Sequence, residues 1–324
     1  MVRKTRKKKN GIRIFLMFIL VISIGFIAYK AILALGDNKD AIEKEKYENH
    51  NLYSSNAILV RLSDGTILME KNSEDIIYPA SLTKMLTAIV AIENLSDLEE
   101  EIILPDSIYS KLFKANASMA GFEAGEKVRA IDLLYGIMLP SGAECCVGLA
   151  EYIAGSEENF VQLMNQKADE LGMDNTYFEN TTGLHNENHY TTVKDLAILL
   201  RYALQNSIFR EIFTSVQYST KPTNKHPGGI TLYSTMFSKL NNPYILDGKI
   251  LGGKTGYTEK AGLCLASLAQ VGGEEYILIS AGAKGNHQTK QYNITDALTV
   301  YNSVGQDSAS KMENQVVKKN SSFY

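Results

Sequence analysis

Apolar and polar positions divide most of the chain into segments with a readable period. Leu82, Met85, Leu86, Ile89, Val90 and Ile92 recur at helical spacing in "YPASLTKMLTAIVAIENL", with Pro79 suited to a first helical turn. Before them, "NAILVRLSDGTILMEKN" carries two apolar-rich runs around Asp64-Gly65, the pattern of a β-hairpin. Between Ile131 and Ala154 two helical patterns are interrupted at "LPSGAE". "NFVQLMNQKADELGM" predicts an amphipathic helix ending near Gly172. In "TTVKDLAILLRYAL", Thr192 with Asp195 three residues later forms a variant capping box that starts another helix. The pattern then changes to strands: "LGGKTGYT", "AGLCLASLAQVGG" and "EEYILISAGAK", the last two joined at Gly272-Gly273. The polar stretch after about residue 304 is expected to fray.

Strands at both ends of the domain and helices between them predict an α/β (α+β) fold. The expected form is one antiparallel sheet built from both ends, with the helical middle packed on it or beside it, and a cleft between the two.

The first 35 residues follow a different rule. Seven basic residues up to Arg13 precede an apolar run from Ile14 to Tyr29 that extends past Lys30 to Leu35. Its length suits a membrane-spanning helix better than a signal peptide, and the basic flank places residues 1–13 in the cytoplasm. Without a clear small-x-small cleavage site near Leu35, an uncleaved anchor over residues 14–35 is expected, with a removed signal as the alternative. Residues 36–51 then form a polar linker, residues 52–304 the external domain and residues 305–324 a polar tail. The net charge of −3 includes eight basic groups and no acid in residues 1–36, which leaves −11 for the rest. Such an acidic domain excludes nucleic acid as an expected partner. Cys145, Cys146 and Cys264 are too few, and too oddly spaced, for a disulfide framework, and read as buried small hydrophobes.

Within this frame a few polar residues stand out. Ser81 and Lys84 lie three apart, so hydroxyl and amine share one face near a helix N-terminus. Ser141 follows 60 residues after Ser81, and Lys254-Thr255-Gly256 begins 113 residues after Ser141. Each has a plain alternative: Lys84 as a snorkelling surface lysine, Ser141 with Glu144 as a capping box, Lys254 as an edge-strand charge. His185 and His189, four apart in "GLHNENHY", sit in a Gly- and Asn-rich loop with no helix to align them, so no metal site is assigned.

In this order, Ser-x-x-Lys, Ser-Gly-x and Lys-Thr-Gly resemble the motif set of penicillin-binding proteins and β-lactamases. Through "YPASLTKMLTA", "LPSGAE", "LGMDNTYFENTTGLHNENHYTT" and "GGKTGYTEKAGLCLA", roughly residues 52–300 are similar to the low-molecular-mass D-alanyl-D-alanine carboxypeptidases. The resemblance implies a serine D,D-carboxypeptidase, membrane-anchored, that removes the terminal D-alanine of peptidoglycan stem pentapeptides through an acyl-enzyme on Ser81 and is inhibited by β-lactams. It makes Lys84 the general base, acting as the neutral amine that burial and the charge of Lys254 would favour. It makes Ser141 the proton shuttle, and Lys254 and Thr255 the holders of the substrate carboxylate. Gly256 would leave a strand edge open for the peptide, and the backbone N–H groups of Ser81 and Tyr257 would form an oxyanion hole. No cofactor is implied. The chain departs from the family at Ala143, where asparagine is usual, so Glu144 or a water is expected to take over the orienting of the lysine. A link to glycopeptide resistance is compatible with the same activity. The alternatives are a β-lactamase and a non-catalytic sensor of penicillin or cell-wall peptide.

Overall fold

A computed structural model describes residues 51–321, with side chains as far as residue 310, and, before them, only Phe26 and Lys30. The anchor expected over residues 14–35 therefore lies outside the described residues, and among these no helix is long and apolar enough to cross a membrane.

The chain enters through a hairpin of β1 (Asn56–Arg61) and β2 (Ile67–Lys71). A single 3-10 turn (Ala80–Thr83) leads into α1 (Lys84–Asn94). Next come β3 (Glu101–Ile103), α2 (Ser107–Lys114), β4 (Lys127–Arg129), α3 (Ala130–Met138), α4 (Ala143–Ala154) and α5 (Glu157–Glu170). After a long loop follow α6 (Val193–Ala203), α7 (Ser207–Thr214), β5 (Gln217–Ser219), β6 (Thr231–Tyr233) and β7 (Tyr244–Ile245). The chain closes with β8 (Gly248–Thr258), β9 (Gly262–Val271), β10 (Glu274–Ala283) and α8 (Tyr292–Ser321).

Six strands form one antiparallel sheet in the order β2-β1-β10-β9-β8-β7, so the N-terminal hairpin pairs with the last strand as expected. Gly272 and Gly273 make the β9–β10 turn, both at positive φ, as a tight hairpin of the right-handed twist requires. The strands are apolar on both faces because both are covered. Ile58, Val60, Ala266, Leu268, Ile277 and Ile279 point into the helical middle. Their neighbours Leu59, Leu265, Ala269 and Leu278 meet Ile294, Ala297, Val300 and Tyr301 of α8. Helix α1, buried along nearly its whole length, is the centre of the helical half.

Three local expectations are corrected. Ser81 stands in the 3-10 turn rather than in the α-helix, which begins at Lys84. The stretch after residue 304, expected to fray, continues α8 to Ser321; no proline interrupts it and its first turns are anchored by Val300, Tyr301 and Val304. The Ser141–Glu144 capping box does not form: Gly142 is the cap of α4, without a side-chain bond, because both side chains are engaged elsewhere. The Thr192 cap does form, accepting the N–H of Asp195 at 3.0 Å. The short pairs β3–β4 and β5–β6 were not legible in the sequence.

The two ends of the domain are joined by one buried carboxylate. Asp296 of α8 accepts the N–H groups of Tyr53 and Ser54 at 3.0 and 2.8 Å and the Ser54 hydroxyl at 2.7 Å. Removing a charged acceptor from buried donors is costly, so Asp296→Ala should lower stability by about 2–3 kcal/mol in urea denaturation.

Candidate active site

The 3-10 turn, the α3–α4 connection and strand β8 meet at a cleft of about 320 Å³, lined among others by Ser81, Ser141, Thr255, Gly256 and Tyr257. All seven residues singled out in the sequence are thus brought together. Lys84 and Lys254, only 2% and 0% exposed, are buried behind the cleft wall and reach it through serine hydroxyls. Lys84 Nζ donates to Ser81 Oγ at 3.1 Å, and Lys254 Nζ donates to Ser141 Oγ at 2.9 Å. The plain alternatives for both lysines therefore fall away: neither is a solvated surface charge.

Local backbone geometry sets this arrangement. Ala80 and Ser141 both adopt left-handed conformations, with φ of +47° and +70°. Among the described residues, the other non-glycine positions at positive φ are asparagine or aspartate, which tolerate it; Ala80 and Ser141 carry real strain. Strand β8 presses so near the 3-10 turn that a Cβ on Gly256 would lie 3.1 Å from Ser81 N and 3.2 Å from Ala80 Cβ. Glycine at 256 is what lets the main chain of Tyr257 stand beside that of Ser81. Next to it, Thr255 Oγ1 lies 2.7 Å from Thr235 Oγ1, a cleft residue with no sequence signal.

The second acceptor of Lys84 answers the question raised by Ala143. It is a main-chain group, the carbonyl oxygen of Thr182, at 2.5 Å. Asn180 fixes that turn: its Oδ1 accepts from Thr182 N, Thr182 Oγ1 and Gly183 N at 3.1, 3.0 and 2.7 Å. Asn-x-Thr-Gly is the signal of such an Asx turn, legible in the sequence but not connected there to the lysine. Glu144, expected to orient Lys84, makes no bond to it. Its Oε1 accepts the N–H groups of Ala120, Gly121 and Phe122, at 2.7, 2.9 and 3.3 Å, and so shapes the cleft rim, while its buried Oε2 has no partner.

The electrostatics follow from burial. Desolvation pulls Lys84 below the ordinary lysine range, opposed by the negative charge of the nearby Glu144 carboxylate. Burial pulls Lys254 down as well, and Lys84 pushes it further. Glu144 is raised by its own burial. At the rim, His287 packs edge-on against Tyr257 at 5.0 Å and is held below the usual histidine range by burial and by the charges of Lys239 and Lys254. That end of the cleft favours an anion. No group of three or more metal-ligating side chains occurs among the described residues; His185 packs edge-on against Tyr78, and His189 is buried against Thr83.

A serine hydroxyl held by a buried lysine, faced by a second serine bonded to the buried lysine of strand β8, has the form of the sites found in penicillin-recognising enzymes. Comparison with known proteins makes the assignment specific. The model of the D-alanyl-D-alanine carboxypeptidase family, Peptidase S11, matches residues 43–285, and the chain belongs to that family. It is 36% identical over 235 residues to the D-alanyl-D-alanine carboxypeptidase DacF of Bacillus subtilis, covering 71% of this chain and 57% of that protein. With DacC of Escherichia coli it shares 32% over 237 residues, 70% of this chain and 56% of the relative. The chain thus spans little more than half the length of these relatives. The crystal structure of the Streptomyces K15 DD-transpeptidase superposes with a TM-score of 0.71 at 26% identity, over 78% of this chain and 97% of that one.

The position of Glu144 yields a prediction with a definite sign. Its charge favours the protonated form of Lys84, so Glu144→Gln should lower the Lys84 pKa further. The acid limb of the Ser81 acylation rate should then move to lower pH, measured with a chromogenic β-lactam across the pH range, with the rim preserved because Gln keeps an acceptor oxygen for residues 120–122.

Proposed function

We propose that this chain is a membrane-anchored serine D,D-carboxypeptidase that removes the terminal D-alanine from peptidoglycan stem pentapeptides and is acylated by β-lactams. The observation that carries the reading is the facing of two serine–lysine pairs in one cleft, Ser81 with Lys84 and Ser141 with Lys254. In this reading a peptide lies along β8 with its terminal carboxylate on Thr255, in the field of Lys254 and Lys239, beside the His287 ring. The bound carboxylate stabilises the charged form of Lys254, and that charge in turn disfavours a proton on Lys84. Neutral Lys84 then takes the proton of Ser81 Oγ across their 3.1 Å contact as Oγ attacks the carbonyl of the penultimate D-alanine.

The oxyanion of the tetrahedral intermediate accepts from the N–H groups of Ser81 and Tyr257. As the carbon–nitrogen bond breaks, the proton on Lys84 passes through the Ser141 hydroxyl to the departing amine, giving free D-alanine and an ester on Ser81. Water, activated by the same base, hydrolyses that ester. The reaction draws on no cofactor. The apolar run 14–35, with its basic flank, anchors the protein so that the cleft faces the cell wall. Trimming D-Ala-D-Ala ends would also remove the target of glycopeptide antibiotics, which gives the same reaction a second use.

Intact-mass analysis of the full-length protein and its Ser81→Ala variant tests the reading. The expected result is a penicilloyl adduct on the parent alone, and loss of one alanine from a D-Ala-D-Ala pentapeptide. An adduct without peptide cleavage would point to a sensor, and rapid multiple-turnover hydrolysis of penicillin to a β-lactamase.

A further inference from the structure

The loop that supplies Thr182 contains a second group that reaches the 3-10 turn of Ser81, at Thr83. His189, 2% exposed, places Nε2 at 2.8 Å from Thr83 Oγ1. Its other ring nitrogen, Nδ1, accepts the N–H of Glu179 at 3.2 Å. A backbone amide has only a donor to offer, so Nδ1 is the unprotonated nitrogen and Nε2 carries the hydrogen. Nε2–H therefore donates to Thr83 Oγ1. The Thr83 hydroxyl in turn donates to the carbonyl oxygen of Ala80 at 2.8 Å. The chain of bonds thus ends on the residue before Ser81, which stands in a left-handed conformation that alanine does not adopt without support.

We propose that His189 is a positioning residue for the nucleophile: as a neutral donor it fixes Thr83, and Thr83 holds the strained Ala80 carbonyl that sets the direction of Ser81. The same carbonyl is backed by Gly183, where a Cβ would come within 1.8 Å of the Ala80 oxygen. One loop, residues 179–189, thereby holds the base through Thr182 and the nucleophile through His189. Edge-on packing against Phe178, ring centroids 5.3 Å apart, fixes the imidazole plane. The charged or titratable groups within its field are Lys84 of α1 and His185 of its own loop; with burial, they hold His189 at about 4, so the ring stays neutral throughout the working range. Were it protonated, Nδ1–H and Glu179 N–H would oppose each other and the relay would open. The placement is independent of metal chemistry and gives the buried histidine of "GLHNENHY" a role in the site.

This inference rests on the acyl-enzyme reading above, and its test separates the two. In the full-length protein, the acylation rate by benzylpenicillin and the release of D-alanine from the pentapeptide are measured for His189→Leu, His189→Gln and Thr83→Val. Leucine fills the space without either polar function, whereas glutamine offers both a donor and an acceptor without charge. We expect His189→Leu and Thr83→Val each to lower kcat and the acylation rate at least tenfold with KM within about twofold, and His189→Gln to restore most of the loss. The double variant His189→Leu/Thr83→Val should be no slower than the worse single one, since both cut the same relay. A folded His189→Leu acylated at the parental rate, or losses that multiply in the double variant, would overturn the proposal. Should His189→Leu fail to fold, Thr83→Val together with the imidazole ¹⁵N shifts of the parent decides: an Nδ1–H tautomer, or parental kcat in Thr83→Val, refutes it. A parent that is acylated but releases no D-alanine counts against the carboxypeptidase reading alone.

Discussion

The constraint on which this site depends is the burial of two lysines side by side. An ammonium group taken out of water loses several kcal/mol of solvation even after relaxation, and a like charge beside it adds to the loss. The nearest carboxylate gives little relief: Glu144 is itself buried, and the oxygen it uses is occupied by three amides of residues 120–122. Losing a proton is the remaining way to lower the energy, and a neutral amine against a serine hydroxyl is a base. The feature that makes the pair poor for stability makes it useful for chemistry.

Such a pair persists only in a frame that cannot relax around it. Lys254 is carried by β8, which pairs with β9 along its length and with the short β7 only at Gly248 and Lys249, in a sheet covered on one face by α8 and on the other by the helices. Lys84 opens a helix buried along nearly its whole length. Between these rigid elements, the tight 3-10 turn lets Ser81 and Lys84 eclipse at a separation of three residues, closer in direction than an α-helix would place them. The strain at Ala80 and Ser141 is the local consequence, held in place by the Thr83 hydroxyl on the Ala80 carbonyl and by Lys254, 113 residues away, on the Ser141 hydroxyl.

Much of this was legible in the chain. The apolar-rich segments of β8 to β10 read as strands, and the three motifs, in order, named the two serine–lysine pairs that meet at the cleft, though not Thr235, His287 or Asn293, which also line it. What stayed hidden has one physical cause: it involves either the main chain or pairs far apart in sequence. The acceptor for Lys84 is a carbonyl, which any residue possesses. Thr83 and His189 are 106 residues apart, and Glu144 reaches amides whose side chains are irrelevant to it. Ser141 looked like a helix cap because local pattern cannot show that Lys254, 113 residues later, claims its hydroxyl. The continuation of α8 was likewise invisible, since a polar sequence carries no period once its apolar anchor has been passed.

The use of a main-chain acceptor also explains how Ala143 is tolerated. A side-chain amide at that position would orient the lysine by identity, and its loss would matter wherever nothing replaced it. Here the Thr182 carbonyl orients Lys84 by conformation, and that conformation is set by Asn180, whose Oδ1 gathers three donors of the turn, and by Gly183, where φ is +78°. The functional requirement has moved from residue 143 to the shape of residues 180–183. The same loop returns through His189 to the 3-10 turn, so Lys84 and the turn that carries Ser81 are contacted by one segment rather than by two independent ones. Substitutions in this loop should therefore disturb both partners of the Ser81–Lys84 pair together, whereas a change at 143 leaves their mutual geometry intact.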